Sequence, residues 1–349
     1  MNKLLKPLAA AALAACALAA QADTELGPYA PVTDARLANP EPANWLQYRG
    51  NYAGWGYSPL DTITDKNVGK LKLAWSLATG QTEGHQSPPI VNNGYMYVTT
   101  PGAQVIALDA ASGVELWRYK KELPADLLQL HPTNRGVALY GDKVYLATVD
   151  AHLVALDART GKVAWAQVVG DAKALQYITL APLAAKGKIM VGSSGGETGV
   201  RGFVAAFDAA TGKEAWRTYM TAAPGEPGGD TWPGDSHKNG GGSIWITGSY
   251  DPATNLAYWG TGNCALAHRR PQGRQPLHHL GGCVGRGQRR HQGPPPVPSK
   301  RCLGLGRSLG AGADRHRDQG PQGQGRRPCR PQRLSVAAGA PGGRQDRLH

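Results

Sequence analysis

Residues 17 to 263 contain no cysteine, so no disulfide framework can be read for that stretch. After the first twenty or so residues no run is apolar and long enough to cross a bilayer as a helix, and no integral membrane span is expected. From Cys264 to His349 there is no Phe, Tyr, Trp, Ile or Glu. A segment so poor in large apolar side chains has little with which to build a packed core.

The absence of acid in the same stretch explains the charge of the whole. Residues 264–349 carry sixteen Arg and one Lys against three Asp, whereas the entire chain has a net charge of only +13. The first 263 residues are therefore close to neutral, and the basic balance implies nothing about their partners. They hold all nine Trp and all thirteen Tyr, as a folded β protein would.

What is present begins with a leader. Lys3 and Lys6 form a basic head, residues 8–20 an Ala-rich apolar run, and Ala20-Gln21-Ala22 a small-residue cleavage site. Residues 1–22 are expected to be a signal peptide and the protein to be exported to the periplasm. Lipoprotein processing at Cys16 is the competing form of the same export signal.

Internal repeats come next. Three segments align without gaps: VIALDAASGVELW, LVALDARTGKVAW and VAAFDAATGKEAW, ending at Trp117, Trp165 and Trp216. Each reads Asp-x-x-x-Gly-x-x-x-Trp, through Asp109, Gly113 and Trp117, then Asp157, Gly161 and Trp165, then Asp208, Gly212 and Trp216. A looser copy, KLKLAW, ends at Trp75. The run before each Asp predicts a strand. Asp bonds the local backbone of a tight turn, and Gly accepts positive φ there. The strand after it carries Trp, expected to pack between units as a structural residue. With the alternating runs upstream, each unit is a four-stranded β-propeller blade. About five such units fit residues 23–263, and an array of that size leaves a blade face open, so an incomplete all-β propeller is expected there.

Longer motifs add a family resemblance. The segments NWLQYRG (44–50), GWGYSPL (54–60), GHQSPP (84–89) and NRGVAL (134–139) resemble the quinoprotein methanol/ethanol dehydrogenases, which use pyrroloquinoline quinone. So do GGETGVRGFVAAFDAATGKEAW (195–216) and GGGSIWITGSYDPATNLAYWGTGN (240–263). This resemblance implies an eight-bladed propeller with the quinone and a metal ion, Ca²⁺ or a lanthanide, on its axis. It implies Glu197 and Asn263 as metal ligands, a fitting pair of oxygen donors for a hard cation. A solvated turn carboxylate is the plainer reading of Glu197.

The same resemblance implies Trp245 as the flat surface under the quinone, Arg135 as a cationic fork beside it, and Ser194, Gly195 and Gly196 as a closely approaching loop. Thr179 and Ser243 match family hydroxyl contacts and Gln86 stands where the family often has Glu, although a structural hydroxyl or a rim amide is almost as good a reading for these three. Where many relatives carry two adjacent cysteines over the quinone, Gln129-Leu130 stand here, which implies the subgroup lacking them. Nearby His131 reads as structural rather than as an acid or base. The implied activity is oxidation of a primary alcohol, with electrons passed to a cytochrome c. The alternative is a non-catalytic periplasmic propeller scaffold.

The resemblance stops at Asn263. Residues 264–349 are expected to be a disordered, Arg/Gly/Pro-rich tail read out of frame. Joining each codon's second and third bases to the next codon's first base, with only the wobble base free to choose, can restore Trp, Tyr, Ile and Glu, including VALDVANG and AWDWDE. The family's catalytic Asp opens that DWD, and Gly304 occupies its place in the chain as written, so the product is expected to be inactive. A nucleic-acid-binding Arg-rich arm is the rival reading, disfavoured by export. Zinc at Cys283 and Cys302 lacks the usual ligand spacing.

Overall fold

The computed structural model describes residues 26–82, 84–262 and 335–339. Within them the fold is all-β: three four-stranded antiparallel sheets and one three-stranded sheet, each with its strands in simple meander order. The first comprises β1 (Ile90–Asn92), β2 (Tyr95–Thr100), β3 (Gln104–Asp109) and β4 (Glu115–Lys120). The second comprises β5 (Val137–Tyr140), β6 (Lys143–Ala147), β7 (His152–Asp157) and β8 (Val163–Val168). The third comprises β9 (Leu183–Ala185), β10 (Lys188–Gly192), β11 (Phe203–Asp208) and β12 (Glu214–Tyr219). In the fourth, β13 (Ser249–Asp251) and β14 (Leu256–Gly260) pair with β15 (Ser335–Gly339).

The repeat in sequence is a repeat in structure. Asp109, Asp157 and Asp208 each accept backbone N–H bonds from the residues two and three positions on. Gly113, Gly161 and Gly212 take φ of +74°, +69° and +73°. The register shifts at the same place in all three sheets, between Ala107/Leu108, Ala155/Leu156 and Ala206/Phe207. In the three four-stranded sheets the third strand is almost wholly buried, whereas the outer strands β4, β8 and β12 are mostly exposed or half-buried, so each of these sheets runs from a covered inner side to a more open outer edge.

The tryptophans are structural, as their spacing predicts. The indole N–H of Trp117 donates to the Ala158 carbonyl at 3.0 Å, and that of Trp165 to the Ala209 carbonyl at 3.1 Å. Each thus clasps the turn of the following sheet. Trp75 does the same to Ala110 at 3.2 Å. The segment before it is not a strand, however, and Leu73 is 83% exposed, because no sheet partner for it lies among the described residues. Four of the five expected units are therefore seen as sheets, and the first contributes its Trp alone.

A short helix, α1 (Asp34–Ala38), is capped by Thr33 and ties the N-terminal segment to two sheets. The Asp34 carboxylate accepts from the Tyr52 and Tyr140 hydroxyls at 2.7 and 2.8 Å and from the Lys186 N–H at 2.7 Å. Burial pushes this carboxyl up, but those hydrogen bonds together hold it below its usual value. Among the described residues no helix is long and apolar enough to cross a membrane. Residues 1–22, expected from the sequence to be a signal peptide, and most of the tail lie outside the described residues. Of the tail, Ser335–Gly339 is a strand, and Val336-Ala337-Ala338 is one of its few apolar runs.

A buried charge cluster pins the first sheet to the second. Asp150, 3% exposed, receives Lys121, the Thr148 hydroxyl and His152, whose Nδ1 lies 3.1 Å from Oδ2. Burial raises the Asp150 carboxyl, but the bonds from His152, Lys121 and Thr148 outweigh it and leave it lowered. The bond to Asp150 chiefly raises His152. The Asp150 contribution is therefore complete above the unfolded carboxylate value near 4 and is lost as pH falls through the lowered folded value. The His152 contribution is complete below about 6.5 and is lost as pH rises through the raised value. Asp150→Asn is expected to cost about 3 kcal/mol between roughly pH 4 and 6.5, less outside that window, in denaturant unfolding followed across pH. A loss that does not vary with pH would contradict the assignment.

Candidate functional site

Successive sheets present the same position, the few residues leading into the innermost strand, on the same side. Arg135 stands two residues before β5, Thr179 four before β9, Trp245 four before β13 and Gln86 four before β1. Neighbouring entries are stitched together. His85 and Asn134 form a parallel bridge, the Arg135 N–H donates to the Thr179 carbonyl at 3.0 Å, and the Thr247 hydroxyl donates to the Ala181 carbonyl at 2.7 Å. The repeat thus delivers one residue from each sheet to a common rim.

On that rim Arg135, Thr179, Ser194 and Trp245 meet directly. Arg135 Nη1 donates to Thr179 Oγ1 at 2.7 Å and to the Trp245 carbonyl at 3.2 Å. The guanidinium carbon lies 5.0 Å from the Trp245 ring centroid, over the ring. Thr179 Oγ1 is 3.1 Å from Ser194 Oγ. Thr179, Ser194 and Ser243 are buried, whereas Arg135 and Trp245 are half-buried. Burial pushes the Arg135 guanidinium down from its usual value, partly opposed by Tyr48 and Tyr177.

The turn after β10 forms the next part of the rim. Ser194 gives its N–H to the Tyr177 carbonyl, so its backbone donor is used. Gly195 sits at φ +95°, and among the described residues neither its N–H nor that of Gly196 has an acceptor. A Cβ on Gly196 would stand 2.7 Å from Ser243 Oγ, and one on Gly262 would stand 2.5 Å from the same atom and 3.3 Å from Trp245 Nε1. Glycine is required at both places for the loops to close around Trp245.

Glu197 follows in a single 3₁₀ turn, with its side chain 48% exposed. The Tyr177 hydroxyl donates to its Oε1, and His131 Nε2 lies 3.7 Å from the same oxygen. Burial first, then the bond to Glu197, raises the Tyr177 hydroxyl, so it remains a donor. His131 is exposed beside Tyr177, with ring centroids 6.4 Å apart.

Of the residues read from the sequence, Arg135, Thr179, Ser194, Gly195, Gly196, Ser243 and Trp245 gather on one rim, with Glu197 on the turn that continues it. Gln86 is exposed beside the His85 bridge and makes no side-chain hydrogen bond among the described residues. Asn263 and Gly304 lie outside the described residues. No cluster of three or more His, Cys, Asp or Glu side chains is found among the described residues. Tyr177 and Gly262 are additions from the structure. Gly262 is legible in hindsight, inside the GTGN run beside Asn263, whereas no motif marks Tyr177.

The rim combines one guanidinium, buried hydroxyls and one flat aromatic face. It offers a half-open indole face, a fixed guanidinium, hydroxyls and two unengaged backbone N–H groups for a planar polyanion. It offers a carboxylate, already oriented by a phenol, for a hard cation.

A family model described as "PQQ: Glucose/ethanol/alcohol dehydrogenase, beta-propeller domain" matches residues 45–275. The quinohemoprotein alcohol dehydrogenase ADH IIB of Pseudomonas putida is 44% identical over 235 residues, which cover 63% of this chain and 34% of that protein. The lanthanide-dependent methanol dehydrogenase of Methylacidiphilum fumariolicum is 38% identical, over 64% of this chain and 40% of that protein. Among solved structures, the quinohemoprotein alcohol dehydrogenase ADHIIG of Pseudomonas putida superposes with a TM-score of 0.64 at 41% identity, covering 68% of this chain and 37% of that one. The chain spans about a third of the length of most of the curated relatives it matches.

Proposed function

Because the chain belongs to the pyrroloquinoline-quinone (PQQ) glucose/ethanol/alcohol dehydrogenase β-propeller family, we propose that its rim of blade entries is one wall of a quinone and metal pocket for alcohol oxidation. The observation that carries this is the Arg135 guanidinium fixed over the Trp245 indole by Thr179, whose hydroxyl also meets Ser194 on the turn that leads to Glu197. Bound PQQ supplies an ortho-quinone that accepts a hydride from a primary alcohol.

The chain's own residues do the rest of what can be assigned. Trp245 gives a flat contact surface of fixed orientation, because Gly262 and the Arg135 bond to its carbonyl hold its position. Arg135 supplies a permanent positive charge whose aim is set by Thr179. Gly195 and Gly196 turn backbone N–H groups outward where a side chain would block approach. Glu197 would ligate the metal through carboxylate oxygen, with Asn263 as the second ligand, and Tyr177 keeps its proton at Oη and orients that carboxylate. Either Ca²⁺ or a lanthanide suits hard oxygen donors.

The general base is not among these residues. Gly304 stands where the family's Asp is expected, and glycine cannot take the alcohol proton. We therefore propose that the chain as written binds the cofactor and fails to turn over alcohol. Transfer of electrons to cytochrome c belongs to the in-frame enzyme and would be lost with turnover, whereas a periplasmic location is proposed for this chain from residues 1–22.

The metal limb is tested with a lanthanide. Terbium luminescence titrated into the 349-residue chain should saturate at one site. Glu197→Gln should abolish that site, and Tyr177→Phe should weaken it about tenfold, the usual effect of losing a group that orients a ligand. Unchanged terbium binding in Glu197→Gln would remove Glu197 from the metal.

A further inference from the structure

The last strand of each four-stranded sheet is an edge, with no strand paired to its outer side among the described residues. Two of these three edges carry charge at matching places. On β4, Glu115 pairs with Arg118, and on β12, Glu214 pairs with Arg217. The register fixes the equivalent residues of β8. Glu115, Val163 and Glu214 stand opposite Leu108, Leu156 and Phe207, and Arg118, Ala166 and Arg217 stand opposite Ile106, Val154 and Ala205. The edge of the second sheet thus reads Val163-Ala164-Trp165-Ala166-Gln167-Val168, without a charge. Val163 is 51% exposed and Val168 58%.

The junctions between sheets show how the charge can be missing there. Arg118 Nη1 reaches back to the Thr79 carbonyl at 3.4 Å and Arg217 Nη2 to the Val169 carbonyl at 2.8 Å, so each stitches its strand to the unit before. Ala166 has no such reach, and Lys121 with Asp150 joins the second sheet to the first instead. The stitch is kept while the edge loses its arginine. What goes with the arginine is protection. An exposed edge offers unpaired N–H and C=O groups, and charged side chains guard such edges against pairing with another chain.

We propose that β8 is a docking edge for a second copy of this chain, the two β8 strands pairing antiparallel about a two-fold axis. Such an axis demands a patch complementary to itself, and β8 has one. With the axis between Trp165 and Ala166, Val163 lies against the partner's Val168 at both ends, and Trp165 lies against the partner's Ala166 in the middle. Apolar cross-strand pairs of this kind favour association, and no like charges are opposed. Two strands of six residues bury less than the roughly 1,200 Å² of a stable interface, so the dimer is weak, with a dissociation constant of about 100 µM. The proposal is independent of the cofactor reading.

The test is amide hydrogen exchange of the full chain, read by mass spectrometry on peptides covering each outer strand. Between about 5 and 400 µM protein, exchange of residues 163–168 is expected to slow about threefold, while residues 115–120 and 214–219 stay unchanged. Val163→Glu/Ala166→Arg rebuilds the pair that β4 and β12 already carry, and should remove the concentration dependence without lowering the melting temperature. Should that double variant fail to fold, Val168→Lys, which copies Lys120 of β4, makes the same test by one exposed change. Exchange of residues 163–168 that ignores concentration, or slowing that survives in the charged variants, would overturn the proposal. So would equal slowing on all three edges, which would place the association elsewhere.

Discussion

Trp245→Ala is expected to weaken PQQ binding by roughly 30- to 700-fold, about 2–4 kcal/mol, while leaving the fold intact. The size follows from what the indole provides. It is the broad apolar face on the rim, held in place by the Arg135 bond to its carbonyl and by the close approach of Gly262. Its ring is half-exposed, so truncation opens no sealed core cavity and the stability cost should stay small. The blade tryptophans behave oppositely. Trp117→Ala should unfold the chain more readily through the lost clasp on Ala158. Equilibrium dialysis of PQQ with the two variants, each checked by thermal melting, separates a wall of the pocket from a strut of the scaffold. A Trp245→Ala chain that binds PQQ normally would take this residue out of the pocket.

Gly161→Ala should be the most damaging single methyl in the second sheet, costing about 2–6 kcal/mol. Two effects add there. The residue sits at φ +69°, where an L side chain costs about 1–3 kcal/mol, and its new Cβ would lie 2.5 Å from the Trp117 ring, forcing an overpacked contact of about 1–3 kcal/mol more. Gly141 is the control, because its φ is +60° yet nothing lies within 4 Å of an added Cβ. Gly141→Ala should therefore show the backbone cost alone. Urea unfolding of the two variants gives the difference directly. Equal losses would mean that the glycine is needed for its backbone conformation and not for the tryptophan clasp.

The scaffold was far more legible in the sequence than the site. Asp-x-x-x-Gly-x-x-x-Trp states a turn, a backbone conformation and a packing partner within nine residues, all local, and the structure repeats them with the same register shift each time. Links between distant residues were not legible. Nothing local shows that Asp34 holds two tyrosines from different parts of the chain, or that Asp150 gathers Lys121 and His152 into a buried cluster. The KLKLAW copy kept its tryptophan's role without its strand, since pairing needs a neighbour that a sequence motif cannot supply. Trp245 and Arg135 were read through resemblance, since neither lies in the repeat. Their contact is a product of topology, which places equivalent blade entries side by side. Tyr177 escaped notice because orienting Glu197 leaves no sequence signal. Asn263 and Gly304 lie outside the described residues, so for them the sequence argument stands alone.

The central claim is that the rim around Trp245, Arg135 and Glu197 takes PQQ together with a metal ion. Equilibrium dialysis of the 349-residue chain against PQQ, with and without Ca²⁺ or a lanthanide, tests it most directly. One PQQ per chain is predicted, with affinity that falls steeply when the metal is chelated. No saturable binding, or binding indifferent to the metal and to Glu197→Gln, would contradict it.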